Sequence, residues 1–195
     1  MSSTIAKAIN NISINYCSIS TAAKKDLESC AQLLTFTKGT ILVKEGQYSD
    51  KLYYIIKGAA KAYYLKDGKN IADWFAFEND FICALISYFT LAPSAHYIEL
   101  LEDSELMMIS RNDMLRLCNT HHDFERLGRV STTKTMLQLQ QRVVSLQFET
   151  AQQRYLNLKN IYPDIELRVP LGDIATFIGI TQETLSRIRA ANKRI

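Results

Sequence analysis

The residues best suited to chemistry lie near the end of the sequence, in the stretch ITQETLSRIR at residues 180–189. Apolar side chains at Ile180, Leu185 and Ile188 have the spacing of one helix face. The residues between them carry hydroxyl, amide, carboxylate and guanidinium groups, which can bond to base edges and phosphates. The pattern predicts a short helix that is anchored on one side and exposes a polar surface on the other.

Three side chains of this surface match the hydrogen-bonding groups that bases present in the major groove. Gln182 can pair with adenine, Arg187 can pair with guanine, and Glu183 can accept from the amino group of cytosine. The candidates for phosphate contacts are Thr181, Thr184, Ser186, Arg189 and Lys193.

The residues just before this stretch predict a second helix that crosses the first. Ile174, Ala175 and Ile178 form one apolar face, and the small Ala175 permits a close crossing. Gly179 can adopt the left-handed conformation that ends a helix, and Thr181 is a good N-cap for the next one. This spacing resembles the helix-turn-helix pattern, in which the second helix enters the major groove. The alternative is an amphipathic helical hairpin with no role in DNA binding.

The distribution of charge agrees with a polyanionic partner at the C-terminal end. Residues 1–128 contain 13 Lys and Arg against 15 Asp and Glu, whereas residues 129–195 contain 10 against 5. A basic segment on a nearly neutral body favours nucleic acid, although a solvated helix face gives the same charge pattern. No apolar run approaches the roughly 18–20 residues of a membrane span, and the N-terminus lacks a signal-peptide core. We therefore expect a cytoplasmic protein without membrane contact.

The predicted secondary structure that must position these residues changes twice along the 195-residue chain, from helices to strands and back to helices. Helical spacing predicts helices over the first 35 residues, the second of them from Thr21 to Leu34. Short runs rich in β-branched and aromatic residues follow, separated by turn residues that include Asp67-Gly68, a type I′ hairpin signal. We read residues 36–110 as a small antiparallel jelly-roll barrel whose interior is filled by aromatic side chains.

After the barrel, a long helix is predicted from about residue 123 to residue 148. The seam spacing of paired helices is found at Met136, Leu139, Val143 and Leu146. A helix of this length spans roughly 38 Å, which is longer than a barrel of this size can cover. We therefore expect dimerisation through this helix, with packing on its own domain as the alternative. A further helix over residues 150–160 and a short extended piece at 166–169 lead to the crossed helices.

The order of barrel, long helix and helix-turn-helix resembles the Crp/Fnr family of bacterial transcription regulators over nearly the whole chain. Two barrel motifs carry the resemblance, G-x-I-x-x-x-x-G at residues 39–46 and LYYIIKG at residues 52–58, together with ITQETLSRI at residues 180–188. The resemblance implies a homodimer on a two-fold-symmetric operator, with Gln182, Glu183 and Arg187 as base readers. RNA polymerase is a further partner that activation would require, but no short motif identifies a surface for it.

One region departs from the family pattern. Members that bind cyclic AMP have Gly-Glu for the ribose and Arg followed by Ser or Thr for the phosphate, whereas this sequence has Cys83-Ala84 and Ser94-Ala95 at those places. A buried phosphate would have no charge partner, so we expect a less charged effector or none. The degenerate pocket comprises Ala84, Ser94, Ala95 and Tyr97, and Tyr88, Phe89 and Tyr97 are candidates to fill it.

Cofactors and enzymatic activity are not expected. The four cysteines are far apart, and neither they nor the histidines have metal-ligand spacing. Haem-binding members of the family use a histidine, but we expect His96, His121 and His122 to be surface or hydrogen-bonded residues. A metal-dependent cupin enzyme needs clustered histidines and carboxylates, and the barrel region has a single His. A small-molecule sensor that acts through protein contacts, without binding DNA, is the other alternative.

Together these observations predict an α+β protein with three parts. Residues 1–122 are expected to form a cyclic-nucleotide-binding-like barrel with N-terminal helices, residues 123–148 a dimerisation helix, and residues 149–195 a winged helix-turn-helix domain.

Overall fold

The computed structural model describes residues 2–192. It begins with two helices, α1 (Ser2–Asn15) and α2 (Thr21–Cys30), which pack together beside the barrel. The prediction that α2 continues to Leu34 is wrong, because residues 32–36 form a strand paired with the last strand of the barrel. The N-cap of α2 is Ser20, whose hydroxyl accepts a bond from the Ala23 N–H.

Eight strands form the barrel as two four-stranded antiparallel sheets. The first sheet has the order β1 (Gln32–Phe36), β8 (Ser104–Ser110), β3 (Lys51–Lys57), β6 (Phe81–Ile82). The second has the order β2 (Ile41–Val43), β7 (Tyr97–Leu100), β4 (Ala60–Lys66), β5 (Lys69–Ala76). Aliphatic residues such as Ile55, Ile98 and Leu106 are fully buried between the sheets, because alternate side chains of each strand point inward.

The turn between β4 and β5 confirms the hairpin prediction. Asp67 and Gly68 have φ angles of 51° and 72°, the left-handed values that a type I′ turn requires at both central positions. The aromatic filling of the barrel is confirmed in part. Tyr53 is buried between the sheets and Trp74 packs against the same cluster, whereas Phe75 is buried on the outer side of the barrel against the C-terminal helices.

The remaining helices follow or interrupt the strands. They are α3 (Leu85–Thr90), α4 (Arg111–Thr120), α5 (His122–Phe148), α6 (Ala151–Ile161), α7 (Ile165–Arg168), α8 (Leu171–Phe177) and α9 (Gln182–Asn192). The extended piece predicted at residues 166–169 is wrong, because these residues are largely the helical turn α7. Between residues 149 and 192 the described chain contains no strand, so its helix-turn-helix carries no strand-built wing.

The clusters of buried hydrophobic residues cross the boundaries between the three predicted parts. One cluster joins α1, α2, α4 and the start of α5 to the outer face of β3 and β8. A second cluster joins the barrel residues Ala72 and Phe75 to Tyr155, Ile174 and Leu185 of the C-terminal helices. The C-terminal helices therefore share their core with the barrel, while the exact domain boundaries stay a prediction. In the described part of the chain, no helix is both long and apolar enough to cross a membrane.

Candidate nucleic-acid interface

The two C-terminal helices α8 and α9 form the predicted helix-turn-helix scaffold. Gly179 has a φ angle of 73°, and the N–H of Ile180 donates to the carbonyl of Ala175 at 3.0 Å. Ala175 and Leu185 are fully buried in the contact between the helices. The hydroxyl of Thr181 accepts a bond from the Thr184 N–H at 3.2 Å, which satisfies a donor at the start of α9.

The surface of α9 that faces away from this contact carries the candidate base readers. Gln182, Glu183, Ser186 and Arg187 are all exposed. Gln182 and Glu183 occupy the first turn, the part of such a helix that meets base edges. Glu183 and Arg187 thus lie one turn apart on an accessible face, and Gln182 lies at its edge, where its side-chain oxygen would be 3.1 Å from a Cβ added to Gly172 of α8.

The candidates for phosphate contacts differ in their exposure and in the bonds they make within the chain. Ser186 is exposed, whereas Thr181 serves as the cap of α9 and Thr184 is half-buried. The guanidinium of Arg189 binds the carboxylate of Glu166 on α7, so this arginine is engaged within the chain. Lys193 lies outside the described residues.

The carboxylate of Glu183 is held in its charged form. Its own backbone N–H and the side chain of Thr181 lower the pKa of this group, and the cations Lys69 and Arg187 contribute in the same direction. An ionised Glu183 at neutral pH is the form that accepts a hydrogen bond from cytosine.

A buried ion pair fastens α8 to the barrel. The Lys61 ammonium on β4 donates to the Asp173 carboxylate on α8 at 2.8 Å, and the Glu99 carboxylate on β7 lies 3.4 Å from the same nitrogen. Lys61 and Asp173 are 4% and 7% exposed, so each depends on the other for charge compensation. Beside this pair, the Thr176 hydroxyl accepts a bond from the Ala72 N–H at 3.1 Å.

A second, more exposed clamp is formed by Arg168 at the end of α7. Its guanidinium donates to the carboxylates of Glu78 and Glu102, with four contacts between 2.8 and 2.9 Å. Burial alone would raise the pKa of Glu78, but the hydrogen bonds from Arg168 and from the backbone N–H groups of Gly58 and Glu78 together outweigh it and lower that pKa. Both carboxylates belong to the barrel side of the molecule, so Arg168 ties the C-terminal helices to it.

The long helix α5 has two distinct sides. One side meets its own chain, since Phe124 and Leu127 are buried, Lys134 binds Asp80, and Arg142 binds Asp73. The predicted seam lies on another side and is exposed at Met136, Leu139, Val143 and Leu146, at 60%, 40%, 53% and 42%. Leu146 also lies beside the corner of the helix-turn-helix, because a Cβ added to Gly179 would be 3.1 Å from its Cδ2 atom.

The degenerate effector pocket contains no charged group at the phosphate places. Ala84 is fully buried and precedes α3, Ser94 is buried and donates to the carbonyl of His96, and Ala95 is exposed. Tyr97 stacks on Tyr63 with 5.1 Å between ring centroids. The suggestion that Phe89 fills the pocket is wrong, since this side chain points to solvent and is 61% exposed.

Two of the three histidines have informative environments. His121 is hydrogen-bonded to Asp26 at 2.7 Å, as expected. His96 is buried, and neither ring nitrogen has a hydrogen-bond partner in the part of the chain that the structure describes, so the expectation of a surface or hydrogen-bonded residue is wrong for this ring. Burial lowers the pKa of His96. Among the described residues, no three His, Cys, Asp or Glu side chains are grouped as metal ligands.

The residues that fasten the C-terminal helices to the barrel were missed by the sequence reasoning. Lys61 offered a usable signal, because it is a lone charge in the apolar run AAKAYYL, and such a residue needs a buried partner. Nothing near Asp173, Arg168 or Arg142 in the sequence indicates which residue each one binds.

Comparisons with known proteins agree with this architecture. Residues 33–121 match the family model of the cyclic nucleotide-binding domain. None of the curated proteins matches the sequence. Over these residues the barrel is similar to a cyclic nucleotide-binding domain.

Solved structures of transcription regulators share the fold over most of the chain. FixK2 from Bradyrhizobium japonicum superposes with a TM-score of 0.72 at 19% identity, over 84% of this chain and 85% of that one. The regulator CLP from Xanthomonas campestris has a TM-score of 0.71 at 14% identity, over 90% and 92%. The catabolite activator protein from Thermus thermophilus has a TM-score of 0.58 at 17% identity, over 94% and 87%. The protein has the fold of Crp/Fnr transcription regulators.

Proposed function

We propose that the protein is a homodimeric transcription regulator that binds a two-fold-symmetric DNA operator. The observation that carries this proposal is the exposed face of α9, where Gln182, Glu183 and Arg187 stand together on a capped and anchored helix. A helix of this kind can enter the major groove, and its three side chains have the hydrogen-bonding groups needed to discriminate bases. The basic C-terminal part adds attraction to phosphates.

Dimerisation is supported by the exposed apolar side of α5. Its seam residues do not pack on their own barrel, and such a stripe on a long helix favours pairing with a second copy. In a symmetric dimer the two α9 helices would read half-sites separated by about 34 Å, one turn of DNA.

An effector in the barrel is not required by this proposal. Because no cation stands at the phosphate places, we infer that cyclic AMP is not the ligand of the barrel pocket. RNA polymerase is the partner expected if the protein activates transcription, and a repressor would not need it.

The experiment that tests the proposal is selection of bound duplexes from random DNA, followed by affinity measurements on the selected operator. Arg187→Ala should weaken operator binding by about 1–3 kcal/mol and relax the preference at one base pair in each half-site. Arg116→Ala is the matched control, because Arg116 is also an exposed helical arginine but lies on α4. Unchanged affinity and preference in Arg187→Ala would remove this residue from base reading, and failure to select any sequence would reject the regulator proposal.

The enzyme alternative is supported less well. Cupin chemistry needs several metal ligands inside the barrel, and the described residues offer no such group. The sensor alternative without DNA binding predicts that no duplex is bound in a salt-dependent manner, so the same binding measurements decide it.

A further inference from the structure

A cleft outside the barrel lies where three parts of the molecule meet. Its walls come from Trp74 and Phe75 on β5, from the second half of α5, from α6 with Tyr162, and from Phe177 and Ile178 at the end of α8. Its volume is about 430 Å³. This falls within the range of roughly 300–1,000 Å³ that is usual for small-molecule sites.

The walls of the cleft are mainly apolar and aromatic. Phe75, Phe177 and Tyr162 contribute rings, and Phe75 packs against Phe177 with 4.8 Å between centroids, whereas Trp74 also packs against the core between the sheets. Aromatic walls favour a flat ligand, because ring faces stack with a large contact area.

Amide side chains supply the polar part of the lining. Gln138, Gln141 and Asn160 contribute to it, and none of the three has a hydrogen-bond partner among the described residues. Each amide can donate and accept, so together they suit a polar edge that carries both kinds of group.

The charges in the lining are already compensated or engaged. Arg142 binds the Asp73 carboxylate at 3.0 Å. Arg154 donates to the carbonyls of Glu149 and Ile178 at 2.7 and 2.8 Å, and the Glu149 carboxylate accepts from Asn157 at 3.0 Å. The Arg142 Nε–H is buried and has no partner among the described residues, and Arg154 donates to carbonyls only. Counted with Asp73, the cleft has two guanidinium groups and two carboxylates, so an ionic ligand gains no net counter-charge there and its desolvation would oppose binding.

The geometry points to a binding site in this cleft for an uncharged, flat, largely apolar small molecule with one polar edge. The seam residues Met136, Leu139 and Val143 do not line the cleft, whereas Leu146 belongs to both, so a second copy bound at the seam would border the cleft at Leu146. A ligand bound here would contact the barrel, α5 and the end of α8 at once. The inference that such a ligand acts as an effector rests on the proposed function. Binding itself does not depend on that function.

The test uses Trp74, the single tryptophan of the chain, as a reporter at the wall of the cleft. The full-length protein is titrated with the uncharged dye N-phenylnaphthylamine, and energy transfer from tryptophan to dye is recorded. Saturable transfer with one dye per chain is expected. The related dye anilinonaphthalenesulfonate has the same aromatic frame with an added anion, and it should bind roughly tenfold more weakly because its charge lacks a partner.

Two matched variants locate the bound dye. Ser145→Phe places a ring in the cleft and should weaken dye binding at least about tenfold, the effect of blocking a pocket by overpacking. Ser29→Phe makes the same change at an exposed position of α2 and should bind as the unaltered protein does. If Ser145→Phe does not fold, as judged by its melting temperature, Asn157→Phe at the rim and Asn119→Phe on the surface of α4 replace the pair.

The outcomes test the cleft site independently of the proposed DNA binding. Absence of saturable transfer from Trp74, or equal dye affinity in the cleft and control variants, would overturn the site. Tighter binding of the anionic dye would overturn the assignment to uncharged ligands. Because all dye measurements are made without DNA, failure to find an operator would leave these results unaffected, and the reverse also holds.

Discussion

Lys61 is a single charge in an otherwise apolar stretch of β4, and the charged groups that it pairs with among the described residues are two carboxylates from other elements. Asp173 lies 2.8 Å away on α8, and Glu99 lies 3.4 Å away on β7. Since all three groups are withdrawn from water to some degree, removing one partner leaves charge that the protein interior cannot solvate.

The cost of breaking this cluster should depend on which member is removed. Lys61→Met leaves two carboxylates without a cation and should lower the free energy of unfolding by about 3–5 kcal/mol. Asp173→Asn leaves Lys61 beside Glu99 and should cost less, about 1–3 kcal/mol. Urea denaturation of the two variants measures the difference, and an equal cost would mean that Glu99 contributes little to holding Lys61.

Two glycines with different backbone conformations should respond oppositely to the same substitution. Gly58 has a φ angle of 104°, and an added Cβ would lie 2.2 Å from the Ser104 Oγ atom and 3.0 Å from the Ser104 Cα atom. Gly58→Ala should therefore destabilise the barrel by about 1–3 kcal/mol. Gly128, inside α5, has no atom within 4 Å of an added Cβ, so Gly128→Ala should stabilise by about 0.5–1 kcal/mol. Thermal unfolding measures both, and a stabilised Gly58→Ala would contradict the close approach of Ser104.

At the scale of elements, α5 combines an inner side that binds the barrel with an outer apolar side. The outer side exposes Met136, Leu137, Leu139, Val143 and Val144 to solvent in the single chain. A stripe of this size on one helix is unusual for a surface that stays uncovered.

Dimerisation through this side predicts a clear effect of one charge. Leu139→Asp should convert the dimer to a monomer, because a carboxylate in the paired seam would be buried without a partner. Leu115→Asp is the matched control, since Leu115 is an exposed leucine on α4 with a similar exposed fraction, 46% against 40%. Sedimentation analysis gives the mass of each variant. A dimer that survives Leu139→Asp would place the interface elsewhere.

The helix-turn-helix is likewise an element whose position depends on its neighbours. Its first helix α8 packs on β5, and its corner at Gly179 touches Leu146 of α5. The orientation of α9 is therefore set by the barrel and by α5 together. The cleft lies where α5, the barrel and the end of α8 meet.

At the scale of the whole molecule, the ion pairs of Arg168 with Glu78 and Glu102 make the stability of the contact between the barrel and the C-terminal helices dependent on pH. The pKa of Glu78 is lowered in the folded protein, so its contribution to stability is present above the ordinary value of 4.5 and is lost as the pH falls below it. Arg168→Gln should cost about 1–2 kcal/mol at neutral pH, since the pair is partly exposed.

The pH dependence of that cost distinguishes the clamp from a simple loss of packing. The difference in unfolding free energy between the unaltered protein and Arg168→Gln should shrink as the pH falls from neutrality towards acid, because protonated Glu78 no longer attracts a guanidinium. Denaturation at several pH values measures this difference. A difference that stays constant across the range would show that Arg168 acts through its apolar contacts, such as its position over the Phe77 ring.

Much of the architecture could be predicted because it depends on residues close together in the chain. Asp67-Gly68 specifies a type I′ turn through its own backbone preferences, and the spacing of apolar residues indicates α5 and the crossed helices α8 and α9. The cap at Thr181 and the corner at Gly179 follow from the same local rules.

The errors arose where distant residues compete with local preference. Residues 32–34 have helical spacing but pair with β8, since an unpaired edge of that sheet would leave backbone groups unsatisfied. The partners of Lys61 and Arg168 are 112 and 90 residues away from them in the chain, at Asp173 and Glu78. Such pairs follow from packing of whole elements, and neither spacing nor composition encodes them. The cleft and the docking of α8 on the barrel depend on the same long-range packing, so they emerged only with the folded chain.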